Sequence, residues 1–122
     1  MIGYYRTRIA ELQQLNKRLE NLKGDLNSNV LPKLNNILTS MSDAELSLKE
    51  AFLVDNETAD GSSIETNKSN VENCISTISG SVIPSIDSKI ATNNNQISNY
   101  NSLIQAELAR IEEEEKARRE TK

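Results

Sequence analysis

The chain has 122 residues, one domain at most, and only 36% of them are hydrophobic and 3% aromatic. So little bulky apolar material excludes an ordinary globular core, but it suffices for a narrow seam between two helices. A formal charge of −4 and a pI of about 4.9 oppose nucleic-acid binding, which needs concentrated Lys and Arg to displace counterions.

The chain opens on Met1-Ile2-Gly3-Tyr4-Tyr5-Arg6, which lacks the apolar stretch of a secretory signal. The expectation is a protein made in the cytoplasm that leaves the cell, if it is exported, without a cleaved signal. Apolar residues then recur at helical spacing through Tyr5, Ile9, Leu12, Leu19, Leu22, Leu26, Val30, Leu34, Ile37, Met41, Leu48 and Phe52. That period predicts a helix over about 2–54. The longest unbroken apolar run, Ala51-Phe52-Leu53-Val54, is far short of the ~20 residues that span a bilayer.

Asp55 to Ser62 is polar and rich in turn formers, a loop of about 55–62. Ser62 followed by Glu65 is the capping-box pattern, in which each side chain bonds the other residue's backbone N–H. It predicts a second helix over about 63–115. Its stripe is Ile64, Val71, Ile75, Ile78, Val82, Ile86, Ile90, Ile97, Tyr100, Ile104, Leu108 and Ile111. Cys74, the single cysteine, sits beside Ile75 and reads as a small buried hydrophobe. The charged tail, 116–122, suggests a fraying helix with Glu112–Lys116 and Glu114–Arg118 as i,i+4 pairs. The expected fold class is all-α, an antiparallel two-helix hairpin of coiled-coil type, since so short a loop forces antiparallel neighbours.

Folding the chain about residue 58 places residues whose numbers sum to 116 opposite each other, among them Leu38 with Ile78, Leu12 with Ile104 and Tyr5 with Ile111. The prolines obey the same rule, Pro32 against Pro84, in the matching settings Val30-Leu31-Pro32-Lys33-Leu34 and Val82-Ile83-Pro84-Ser85-Ile86. An interior proline removes a hydrogen bond and clashes with the preceding turn, at about 3 kcal/mol. Two facing prolines predict a shared kink in continuous helices. The alternative is a true break, with Asn29 and Ser81 as N-caps.

Catalytic chemistry has few materials. There is no histidine and only one cysteine, which removes His-dependent triads and Cys/His zinc sets. The stretch from Asp55 to Thr66 has Ala59 at the fifth position of a calcium loop, which needs an oxygen ligand, and Thr66 at the twelfth, which needs a bidentate Glu. No catalytic residue, cofactor or metal is expected. What remains is binding surface: Leu31, Leu38 and Ile83 fall off the stripes beside the prolines and are expected to form an apolar shoulder that docks a partner helix. The alternatives are self-association through the same surface into a four-helix bundle, and residues that only widen the hairpin seam.

In organisation the chain resembles the small helical-hairpin partner proteins of LXG-domain toxins in Gram-positive type VII secretion, related to the WXG-type family. The residues that carry the resemblance are Tyr4-Tyr5-Arg6-x-Arg8-Ile9 opening a helix, and Ala51-Phe52-Leu53-Val54-Asp55 before an Asp/Gly/Ser loop and a second helix of equal length. The WxG loop itself is absent, since there is no Trp. The resemblance implies binding to the helical N-terminal domain of a toxin as a chaperone or targeting factor. It marks Phe52 and Asp55 as a targeting motif, one residue shorter than the Phe-x-x-x-Asp signal of some toxin partners. Against it stands a structural homo-oligomeric coiled-coil spacer or adaptor.

Overall fold

The structure, a computed structural model, describes residues 1–52 and 59–121, and for 52 and 59–62 the backbone alone. The fold is an all-α helical hairpin. Its α-helices are α1 (Ile2–Asp25), α2 (Leu31–Phe52), α3 (Ala59–Thr77) and α4 (Ile83–Glu120). Five-residue π-turns, Leu26–Val30 and Ile78–Val82, join α1 to α2 and α3 to α4.

These π-turns decide between kink and break. Asp25 (φ −63°, ψ −42°) and Leu31 (φ −61°, ψ −45°) flank the first in ordinary helical conformation, and Thr77 and Ile83 flank the second likewise. The helices therefore continue through both prolines, and Asn29 and Ser81 lie inside a helical run rather than capping one. In each π-turn the closing bond skips one extra residue, Leu31 N–H to Leu26 C=O and Ile83 N–H to Ile78 C=O. In a regular helix the ring of Pro32 would press on the Ser28 carbonyl and that of Pro84 on the Gly80 carbonyl. A wider turn just before each ring relieves that clash, and it is a site where helices bend.

The extra residue also re-aims everything beyond it. Before the first π-turn the inward side chains are Tyr5, Ile9, Leu12, Asn16, Leu19, Lys23 and Leu26, at alternating steps of four and three. The next inward residue is Leu31, a step of five, and the alternation resumes through Leu34, Leu38, Met41, Glu45 and Leu48. The second half behaves identically: Ile64, Lys68, Val71, Ile75 and Ile78, then a step of five to Ile83, then Ile86, Ile90, Asn93, Ile97, Tyr100 and Ile104. The stripes of fours through Val30 and Val82 expected from the sequence are thus replaced by two heptad seams with a one-residue skip. Leu22, Val30, Ile37 and Val82 are exposed.

The element boundaries also move. α3 begins at Ala59, so Ser62 lies in its first turn and not at the expected N-cap position. At the other end α4 runs to Glu120, beyond the expected limit near 115. Its last turns are held by ion pairs: Arg110 with Glu107 at 2.6 Å and with Glu114 at 2.5 Å, and Arg119 with Glu115 at 3.5 Å. Glu114 pairs back to Arg110, whereas a forward pair with Arg118 was expected.

The chain divides into two compact units, Met1–Glu20 with Asp87–Lys122, and Asn21–Ile86. In the first, Tyr5 meets Tyr100 with ring centroids 5.7 Å apart, and Asn16 bonds Asn93 and Asn94 at 2.9 Å each. These contacts make the two segments antiparallel. The joined residue numbers sum to 105, 109 and 110, not 116, so Leu12–Ile104 and Tyr5–Ile111 are not opposed pairs. In the second unit α2 packs on α3, and the cross-pair Glu45–Lys68 sums to 113. The reason lies in the connection: α2 ends at Phe52 and α3 starts at Ala59, which sum to 111. The pivot is therefore earlier than residue 58. Among the described residues no helix is long and apolar enough to cross a membrane.

Candidate docking surface

Both seams carry polar residues. In the first unit Asn93 is 1% exposed and donates through Nδ2 to Asn16 Oδ1, while Asn16 donates to Asn94 Oδ1. In the second, Glu45 lies between Lys49 at 3.4 Å and Lys68 at 3.9 Å. Polar residues at seam positions weaken a coiled coil but penalise every register in which they lose their partners.

The apolar seam around these layers is thin. Among the described residues three large hydrophobic side chains are buried, Leu12, Ile86 and Ile104, whereas eleven are exposed. That ratio is the reverse of a closed core. Scattered exposed leucines need no explanation, so the arrangement matters. On the first helix, Leu22, Val30 and Ile37 each immediately precede an inward residue (Lys23, Leu31, Leu38) and share the one-residue skip at the π-turn. On the second, Cys74 and Val82 precede Ile75 and Ile83. In an antiparallel pair these positions fall on the same flank. The opposite flank of this unit, the residues that follow the other inward positions, is polar: Asn27, Asn35, Ser42 and Lys49, with Glu65, Glu72 and Ser79.

The residues of the expected shoulder lie at inward positions. Leu31, Leu38 and Ile83 are half-buried members of the seam, because the skip turns them inward. The same skip turns Val30, Ile37 and Val82 out. Cys74, expected to be buried, is exposed, one position off the inward Ile75. Phe52 closes α2, with its side chain outside the described residues, and Asp55 lies outside them altogether. The only sequence signal for the exposed flank was the matched proline settings, which mark where the period changes.

The first unit exposes a separate apolar set. Leu15 is 43% exposed, beside a shallow groove lined by Ala10, Glu11, Gln14 and Arg18, and Leu103 is 46% exposed. Both occupy the position that precedes an inward residue, Asn16 and Ile104. Nearby, Tyr4 meets Tyr5 and Tyr100 edge-on, and the rings of Tyr5 and Tyr100 are tilted at 34°. Arg8, beside Tyr100 and paired with Glu11, has its pKa held above the ordinary value by both partners, Tyr100 first.

The other shifted groups belong to an exposed ion-pair chain. The Arg110 guanidinium bonds Glu107 and lowers its carboxyl pKa, and Glu107 and Glu114 raise that of Arg110 in return. Among the described residues no group of Cys, Asp and Glu is arranged to hold a metal ion. Comparison with family models, with curated proteins and with solved structures finds no match to this chain.

Proposed function

We propose that this chain is a non-catalytic helical binding protein that docks onto the helical N-terminal domain of a type VII secreted LXG toxin, as its chaperone and targeting factor. The observation that carries the binding role is the excess of exposed over buried large hydrophobic side chains on a two-helix seam. Water-exposed aliphatic side chains at helical spacing are worth about 25 cal/mol per Å² when another helix covers them. The toxin as partner rests on the sequence resemblance, through the Tyr4-Tyr5-Arg6-x-Arg8-Ile9 opening and the paired long helices.

For the docking face the positions of Leu15 and Leu103 are favoured over the shoulder first expected, because these side chains are exposed whereas Leu31, Leu38 and Ile83 are half-buried. The second reading, a homo-oligomeric coiled-coil element, is favoured by the one-sided apolar flank of the 21–86 unit. Co-expression with the product of the adjacent open reading frame, followed by affinity capture, tests the first reading. Co-purification of a protein with a long helical N-terminus is the expected result. Capture of this chain alone, with the neighbour soluble and unassociated, would overturn it.

A further inference from the structure

We infer that the apolar flank of the 21–86 unit packs against the same flank of a second copy, with the two first helices antiparallel about a two-fold axis near Val30. This rests on and deepens the homo-oligomeric reading of that flank, and it does not depend on the toxin-partner reading.

A two-fold interface brings a patch onto itself, so the patch must be self-complementary. Leu22, Val30 and Ile37 meet that condition: Leu22 lies eight residues before Val30 and Ile37 seven after. Antiparallel stacking on Val30 therefore lays Leu22 of each copy over Ile37 of the other. All three are exposed, at 47%, 36% and 46%. Val82, 37% exposed, extends the patch on the second helix.

Charge selects the same occupant. The residues three places beyond Leu22 and Val30 are Asp25 and Lys33, one of each sign on the outer rim of the first helix. The arrangement that superposes Leu22 on Ile37 carries Asp25 of each copy to within about one turn of Lys33 of the other, twice per dimer by symmetry. Within its own chain Asp25 accepts a long 3.4 Å bond from Asn29 Nδ2. The corresponding rim of the second helix, Asn70, Thr77 and Ser85, is uncharged. Two copies can thus meet here without like-charge repulsion, although each chain carries −4 overall.

The test uses the full chain. Sedimentation equilibrium should show a reversible dimer. Asp25→Lys and Lys33→Asp should each weaken it by about tenfold, as exposed pairs formed twice. The double exchange, Asp25→Lys with Lys33→Asp, should restore it. In a Cys74→Ser background, Val30→Cys should oxidise to a covalent dimer, whereas Asn27→Cys on the polar flank should not. Circular dichroism is expected to be unchanged in all variants, since these side chains are exposed. A monomer at every concentration, a dimer indifferent to both charge reversals, or crosslinking at Asn27 in preference to Val30 would overturn the inference. So would occupation of this flank by the toxin domain on a chain that is monomeric alone.

Discussion

Replacing the polar layer of the first unit should make it more stable and less specific. Asn93 is 1% exposed, and its Oδ1 is buried without a hydrogen-bond partner. Asn16→Leu with Asn93→Leu removes two side-chain hydrogen bonds, each worth about 1 kcal/mol net. It also removes that orphan acceptor, at a cost of about 1–3 kcal/mol in the native protein. A leucine fully buried at 93 adds roughly 1.5–3 kcal/mol, and one at the half-buried position 16 adds a part of that. The balance is a gain on the order of 2–3 kcal/mol, read as a higher urea midpoint by circular dichroism. The cost should appear in uniqueness. Without the Asn16–Asn93 bond, neighbouring registers of the two segments approach each other in energy, and amide resonances of this unit should broaden or multiply. A double variant less stable than the parent by 1 kcal/mol or more would refute the assignment of this layer as a register device.

Other substitutions separate seam from surface. Leu12→Ala should cost about 2–4 kcal/mol because Leu12 is 3% exposed, whereas Leu46→Ala, at 57%, should shift stability by less than about 0.5 kcal/mol. Thermal melts of the two would distinguish them. A methyl group added at Gly24 or Gly80 meets no atom within 4 Å, so Gly24→Ala and Gly80→Ala should each stabilise by about 0.5–1 kcal/mol; a loss at Gly80 would mean that the π-turn itself needs glycine. Glu107 has a folded pKa below its unfolded one because of Arg110. Its contribution is present above the unfolded value and fades as pH falls through the folded value. Arg110→Ala should return the Glu107 titration upward, followed by carboxyl carbon chemical shifts.

Much of the fold is legible because helical period and loop composition are local signals. Leu12, Ile86 and Ile104 are read correctly as inward residues from spacing alone. What misleads is the stretch before each proline. Val30 and Val82 continue an unbroken step of four, and nothing in their identity says that the chain will insert a residue there. A proline can kink a helix, break it or call up a π-turn, and only the last moves Leu31, Leu38 and Ile83 into the seam. The register fails for a related reason. The apolar pattern repeats every seven residues, so a shift of about one heptad still matches apolar to apolar. The discrimination comes from Asn16 with Asn93 and Glu45 with Lys68, polar residues that a stripe of hydrophobes skips over.

The account holds that this chain works through exposed aliphatic positions on a hairpin that is folded without them. Calorimetric titration of the full chain with the helical N-terminal domain of an LXG toxin tests that most directly. The account predicts saturable binding with a negative heat-capacity change, the mark of apolar burial. It predicts that Leu15→Ser with Leu103→Ser weakens binding by at least about tenfold, with the helical circular dichroism spectrum intact. Binding of that variant at parental affinity, or no binding by the parent chain, would contradict it.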